Sequence, residues 1–180
     1  MPFTDVSVDD WFYEDVLYLY DLGLMTGTST TTFSPNEGSS RAMMAQMMYN
    51  LEGQPERTEF DFFPDVEVGQ WYEPAINWCA TYGVVDGYTD GLYRPDRIIS
   101  KQEFANILYD NCLHFDYDVS ALADLSVFED APSDWAKTYV MWAVEEGVIL
   151  GTNNGYLNCN DQLTRCEAAA MFARFLRNVY

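Results

Sequence analysis

The chain has 180 residues and a formal charge of −20, from 29 acidic and 9 basic residues. That charge disfavours nucleic acid and anionic membrane as partners, because both repel a strongly acidic protein. Apolar residues make up 48% of the chain, yet no apolar run approaches the roughly 20 residues that span a bilayer. We therefore expect a globular protein with no membrane insertion.

An internal repeat organises the chain. Each copy has, in order, a phenylalanine followed two residues later by an aspartate, then a tryptophan, then two glycines four residues apart. A cation follows fourteen residues beyond the second glycine. We predict three units, at residues 1–53, 61–115 and 126–180. The repeated residues are Phe3, Asp5, Trp11, Gly23, Gly27 and Arg41; then Phe63, Asp65, Trp71, Gly83, Gly87 and Lys101; then Phe128, Asp130, Trp135, Gly147, Gly151 and Arg165.

A first helix is predicted after each tryptophan, because apolar residues recur there at helical spacing. In the first unit Phe12, Val16, Leu19 and Tyr20 share one face. Gly23 then acts as a left-handed terminator, and a loop rich in turn-forming residues follows. The matching apolar positions are Tyr72, Ile76, Cys79 and Ala80 in the second unit, and Ala136, Val140, Ala143 and Val144 in the third.

A second helix is predicted to begin at each cation, because a hydroxyl residue directly precedes it. The first unit has Ser40 as this cap but Met43 where an acid would complete a capping box, so its cap is a single hydroxyl. Full capping boxes are predicted for Thr164 with Glu167 and for Ser100 with Glu103.

The cations Arg41, Lys101 and Arg165 are out of place by local electrostatics, because a helix N-terminus carries partial positive charge. One interpretation is that each cation and the free backbone N–H groups beside it hold an anion. The alternative is that the cation pairs with a neighbouring aspartate.

The cysteines and the single histidine give no sign of a metal site, a cofactor or catalysis. Cys79 and Cys112 fall in helical apolar patterns and are predicted to be buried thiols. Cys159 and Cys166 are close enough in sequence to bridge, but sequence does not fix that geometry. His114 has no serine or cysteine constellation around it, so we predict that the protein is not an enzyme.

The predicted fold is all-α. A helix–loop–helix of about 50 residues does not easily bury both helices alone. Three copies most simply pack about a common axis, as a pseudo-threefold arrangement.

Together these marks resemble three tandem S-layer homology domains, and the resemblance covers nearly the whole chain. It implies a pseudo-trimeric helical spindle that anchors bacterial surface proteins to cell-wall glycan. In many members the ligand is a secondary wall polysaccharide ending in a pyruvate-ketal sugar, held in grooves between the repeats. The implied location is extracellular, at the cell wall or S-layer, with other surface-layer proteins as further candidate partners. Met1-Pro2-Phe3 runs directly into the first repeat, so we expect no signal peptide within this sequence.

By position, the resemblance implies that Arg165 is the leading glycan-binding residue, and that Arg165→Ala abolishes wall binding with the fold intact. Lys101 cannot grip a carboxylate with two parallel bonds, so one or two working grooves are expected.

The tryptophans face a sugar ring or, alternatively, wedge into the core under the first helix. The aspartates of the opening motif are expected to fix a loop. A different function stays open, a repeat scaffold that has lost glycan binding and binds protein. The implied glycan-binding residues are Arg165, Arg41, Lys101, Gly27, Gly87, Gly151, Trp11, Trp71 and Trp135.

Overall fold

The structure is a computed structural model that describes residues 1–58 and 60–180. Within those residues it contains six α-helices, two short 3-10 helices and no strand, which confirms the predicted all-α class. Each predicted unit supplies two α-helices. They are α1 (Tyr13–Asp21), α2 (Arg41–Leu51), α3 (Glu73–Thr81), α4 (Lys101–His114), α5 (Lys137–Glu145) and α6 (Arg165–Asn178).

The helix boundaries follow the local signals in the sequence. Helices α2, α4 and α6 begin at the three cations, as predicted, and capping boxes are present at α4 and α6. Helix α2 has only the Ser40 hydroxyl, which accepts from the Met43 N–H at 3.3 Å. After the first helix of each unit the chain turns at a glycine in the left-handed region, with φ of 71°, 69° and 67° at Gly23, Gly83 and Gly147.

The main helix-to-helix contacts join different repeats. Helix α2 packs against α3, α4 against α5, and α6 against α1, so the order of contacts closes on itself. The apolar residues of all six helices form one buried cluster. No single helix pair therefore encloses a core of its own, and the stability of each repeat depends on its neighbours.

Backbone hydrogen bonds join the three repeats just before their second helices. The Ser39 N–H donates to the Leu163 carbonyl at 2.8 Å, the Leu163 N–H donates to the Ile99 carbonyl at 2.8 Å, and the Ile99 N–H donates to the Ser39 carbonyl at 2.9 Å. These residues occupy equivalent positions, each two residues before a cation. The closed ring favours a threefold packing, and the complete spindle stays a prediction.

Close packing of the second helices is supported by three alanines at one repeated position, Ala45, Ala105 and Ala169, all fully buried. All four cysteines are free and buried, which confirms the prediction for Cys79 and Cys112.

Among residues 1–58 and 60–180, no helix combines the length and the apolar content needed to cross a membrane.

Candidate functional site

Three grooves between the repeats share one building plan. Each is formed by the loop after the first helix of one repeat and by the second helix of that repeat. The following repeat, in cyclic order, contributes its exposed tryptophan, and the preceding repeat contributes its cation. The pairs are Trp71 with Arg165 in groove one, Trp135 with Arg41 in groove two, and Trp11 with Lys101 in groove three. The structure thus brings the predicted cations and tryptophans together across repeat boundaries.

Groove one is a cavity of about 410 Å³ between residues 24–28, helix α2 and Trp71. Arg165 is the one ionised side chain among its described lining residues. The Arg165 Nε and Nη2 atoms donate to the carbonyl oxygens of Phe33 and Thr26, each at 2.7 Å, and Nη1 contacts the Met43 sulfur at 3.6 Å. Burial lowers the pKa of Arg165, and the negative charges of Glu37 and Asp5 partly offset that shift by raising the pKa. The guanidinium nevertheless stays charged, as in proteins generally.

Groove two is a cavity of about 530 Å³ with a different charge. The Nε and Nη2 atoms of Arg41 donate to the carbonyls of Tyr93 and Asp86, at 2.9 and 2.7 Å. Three acids, Asp86, Glu103 and Asp110, line the same cavity. Desolvation raises the pKa of Asp110 to about 7, and the neighbouring Asp86 charge adds to that shift, while a hydrogen bond from Asn106 opposes it. Arg97 pairs with Glu103 and offsets one of these charges, but groove two is still less suited to an anion than groove one.

Groove three is the smallest, about 180 Å³. Its Lys101 ammonium forms an ion pair with the Glu167 carboxylate at 2.9 Å. Arg174, one turn further along α6 than Met171, also lines the groove. The sequence analysis did not select Arg174, because the repeats differ at that position.

One part of the anion-binding interpretation is wrong: the first N–H groups of each second helix are not free to hold an anion, because they already have partners, while binding of an anion by the cations themselves stays a prediction. These N–H groups donate to loop carbonyls of a different repeat. The Arg41 N–H donates to the Arg97 carbonyl at 3.0 Å, Lys101 to Asp161 at 3.3 Å, and Arg165 to Glu37 at 2.8 Å. Aspartate pairing is also wrong for both arginines, whose side chains hold backbone carbonyls. Those partially negative oxygens explain why a cation is stable at this end of a helix.

The core-wedge interpretation of the tryptophans is wrong as well. Trp11, Trp71 and Trp135 are 65%, 56% and 53% exposed. Each indole is therefore available to a ligand in its groove, while the buried tryptophans of the chain are Trp78 and Trp142.

The loop-fixing role predicted for the opening aspartates is confirmed. Both oxygens of Asp5 accept backbone N–H bonds, from Phe33 at 2.8 Å and from Ser34 at 2.7 Å. Burial raises the pKa of Asp5, but these bonds outweigh it and hold that pKa below its usual range. Asp65 makes the matching bonds to Tyr93 and Arg94, and Asp130 to Leu157 and Asn158.

The second glycine of each unit has a packing role that the sequence analysis missed. A Cβ atom at Gly27, Gly87 or Gly151 would lie 2.5 Å from a ring carbon of the phenylalanine that opens the same repeat. Gly27 and Gly87 also line grooves one and two, whereas Gly151 is not among the residues that line groove three. A sugar-binding role for these glycines stays a prediction.

The fold and grooves define a class: a helical repeat module with a groove at each boundary between its repeats. The chain belongs to the S-layer homology domain family, whose model matches residues 2–45, 62–105 and 127–169. Domains of this family are cell-wall anchoring modules of bacterial surface proteins, which makes the chain part of an extracellular, cell-wall-associated protein.

Relatives of the chain include surface-layer proteins and an enzyme. The surface-layer 125 kDa protein of Lysinibacillus sphaericus is 33% identical over 96% of this chain and 15% of its own length. The S-layer protein sap of Bacillus anthracis is 28% identical over 96% of this chain and 21% of its own length. An endoglucanase of Bacillus sp. (strain KSM-635) is 26% identical over 99% of this chain and 19% of its own length. The chain thus spans about a fifth or less of these relatives, which fits an accessory domain rather than a catalytic one.

Proposed function

We propose that the chain anchors its parent protein to the cell wall by binding a secondary wall polysaccharide in the grooves between repeats. The recognised group is an anionic sugar terminus, such as a pyruvate ketal. Groove one is the principal site, with Arg165 as the anion-binding residue and Trp71 as the surface for the sugar ring.

The observation that carries this proposal is the charge of groove one. Arg165 is 4% exposed and is held by two carbonyl oxygens, so its remaining N–H donors point from a fixed position. A guanidinium fixed in advance binds a carboxylate with little loss of side-chain entropy. The apolar wall and exposed indole beside it suit the nonpolar face of a sugar.

The net charge of −20 opposes an anionic polymer at long range. At physiological ionic strength, salt screens exposed charges beyond about 8 Å. The local charge of the groove therefore decides binding more than the total charge does.

A pull-down with purified cell-wall sacculi tests the proposal, with and without chemical removal of the non-peptidoglycan polymer. Two variants change groove one, and circular dichroism of each checks that it keeps the native fold. Trp71→Ala removes the exposed ring, and Asn50→Asp introduces the carboxylate that groove two already carries at the equivalent Asp110. Trp135→Ala in groove two is the matched control.

We expect wild-type binding to disappear when the polymer is removed. Trp71→Ala and Asn50→Asp should weaken binding about tenfold or more, and Trp135→Ala should weaken it much less. Retention on polymer-free sacculi, or undiminished binding of both groove-one variants, would contradict the proposal. If wild type does not bind sacculi at all, the protein-binding scaffold becomes the better interpretation.

A further inference from the structure

Groove three contains a cation whose charge is already matched. The Lys101 ammonium lies 2.9 Å from a Glu167 carboxylate oxygen, and the two side chains are 16% and 30% exposed. The other oxygen of Glu167 accepts from the Thr164 N–H at 3.0 Å, which fixes the carboxylate in the capping box. Lys101 is thus a poor receptor for a second anion.

Arg174 is the other cation of this groove, and two backbone carbonyls hold it as well, one in its own helix and one in the loop that follows the first helix of repeat three. Its Nε donates to the Ala170 carbonyl at 3.0 Å, and its Nη1 donates to the Val148 carbonyl at 2.8 Å. Val148 is the third residue after the first helix of repeat three, as Leu24 is in repeat one. In each groove with an arginine, at least one carbonyl of the segment after the first helix therefore holds the guanidinium. The difference is that Arg174 comes from the same repeat as the loop.

No acidic side chain in residues 1–58 and 60–180 forms an ion pair with Arg174. Burial lowers its pKa, and the Asp15 charge acts in the opposite direction. Asp15 is itself paired with Arg177 at 2.6 Å. The positive charge of Arg174 is consequently available inside the groove.

The position of Arg174 is where the three grooves differ most in charge. It lies nine residues after the start of the second helix, and the equivalent residues are Asn50 in groove one and Asp110 in groove two. All three line their grooves. One framework thus presents a neutral, an acidic and a basic side chain at the same place.

We infer that Arg174, and not Lys101, binds the anionic sugar group in groove three, which makes this groove a second anion-accepting site. The inference rests on the proposed function of the grooves. Arg174 supplies two donors in a fixed plane, the geometry that matches a carboxylate. Lys101 and Glu167 both line the groove and their charges cancel, so Arg174 leaves the groove with a net positive charge.

The three exposed tryptophans make the inference testable groove by groove. In 1H–15N spectra of the full chain, the indole N–H signals of Trp71, Trp135 and Trp11 report on grooves one, two and three. The buried Trp78 and Trp142 are internal controls. The probe is a methyl hexoside carrying a pyruvate ketal. The matched control probe is the acetone ketal, in which a methyl group replaces the carboxylate.

Two variants separate the candidate cations. Arg174→Asn introduces the residue that repeat one has at this position, so the fold is expected to accept it. The double variant Lys101→Gln with Glu167→Gln removes the ion pair as a unit, and glutamine still serves in the capping box. Arg174→Lys keeps the charge and loses the planar pair of donors.

We expect the pyruvate ketal, and not the acetone ketal, to shift the Trp11 and Trp71 signals saturably in wild type. Arg174→Asn should weaken the Trp11 response at least about tenfold, Arg174→Lys should weaken it less, and both should leave Trp71 unchanged. The double variant should keep the Trp11 response within about threefold of wild type, because it removes a positive and a negative charge together and leaves Arg174 in place.

Four results would overturn the inference alone: a Trp71 shift without a Trp11 shift in wild type, an unchanged Trp11 response in Arg174→Asn, an unchanged Trp11 response in Arg174→Lys, or loss of the Trp11 response in the double variant. A wild type in which no exposed indole responds to the pyruvate ketal would overturn the proposed function and this inference together. If Arg174→Asn fails to fold, as judged from Trp78 and Trp142, the Arg174→Lys result decides.

Discussion

Arg165, at the start of the last helix, donates from Nη2 to the carbonyl oxygen of Thr26 in the first repeat, at 2.7 Å. This bond spans 139 residues of sequence and closes the cycle of repeats. A residue proposed to bind ligand thus also fixes the loop that forms its own groove.

Replacing Arg165 should therefore lower stability as well as binding, contrary to the expectation from sequence that Arg165→Ala leaves the fold intact. The substitution leaves the buried Phe33 carbonyl without its donor, which costs about 1–3 kcal/mol. It also removes the charged hydrogen bond to the carbonyl of the exposed Thr26. We expect the free energy of unfolding in urea to fall by about 2–4 kcal/mol. Arg94→Ala, which removes an exposed ion pair with Asp90, should cost less than about 1 kcal/mol. Equal stability of Arg165→Ala and wild type would show that these bonds contribute little.

Stability should depend on pH through Asp110, whose pKa burial raises to about 7. In the unfolded chain an aspartate titrates near pH 4. Between about pH 4 and 7 the folded protein therefore holds a proton that the unfolded chain has lost, and stability falls as the pH rises.

Asp110→Asn removes the titrating group and with it the loss of stability at high pH. The amide oxygen of the new asparagine can still accept the hydrogen bond from Asn106, as the Asn50 amide oxygen accepts from Gln46 in repeat one. We expect the variant to match wild type near pH 4 and to exceed it by roughly 1–2 kcal/mol at pH 8, a value discounted for solvent screening. Urea unfolding at both pH values measures the difference. Asp21→Asn, at an exposed position, is the control, and a parallel pH dependence of Asp110→Asn and wild type would refute the assignment.

Gly87→Ala should destabilise the protein by about 1–3 kcal/mol, because its Cβ would lie 2.5 Å from the Phe63 ring. Phe63→Ala removes that ring and so relieves the clash. In a double-mutant cycle, Gly87→Ala should therefore cost clearly less in the Phe63→Ala background than in wild type. Thermal or urea unfolding of wild type, the two single variants and the double variant gives the coupling energy. If the two single costs simply add in the double variant, the cost of Gly87→Ala does not come from a clash with the Phe63 ring.

The sequence predicted the local features of the fold because their causes are local. Helix starts at Arg41 and Arg165 follow from the preceding hydroxyl residue, and the turn at Gly83 follows from its left-handed conformation. Repetition then identified three units, whose boundaries at 1–53, 61–115 and 126–180 stay predictions.

The partners of the helix starts were not predictable in the same way, because they come from other repeats. The Arg41 side chain reaches Tyr93, 52 residues away, and local electrostatics gives no sign of that carbonyl. Arg174 was missed for the opposite reason. A search for repetition selects what the copies share, whereas the charge of each groove is set where Asn50, Asp110 and Arg174 differ. A comparison of helix positions across the copies for opposite charges would have found it.

The exposed tryptophans should matter for binding and little for folding. Trp71 is 56% exposed, so Trp71→Ala should change the free energy of unfolding by no more than about 1 kcal/mol. Trp142 is fully buried, and Trp142→Ala should cost about 3–5 kcal/mol by leaving a cavity in the core. Urea unfolding of both variants tests this, with near-ultraviolet circular dichroism to confirm native packing. A large loss of stability in Trp71→Ala would mean that the indole supports the fold. Weakened binding of this variant to sacculi would then reflect unfolding and not the loss of a sugar contact.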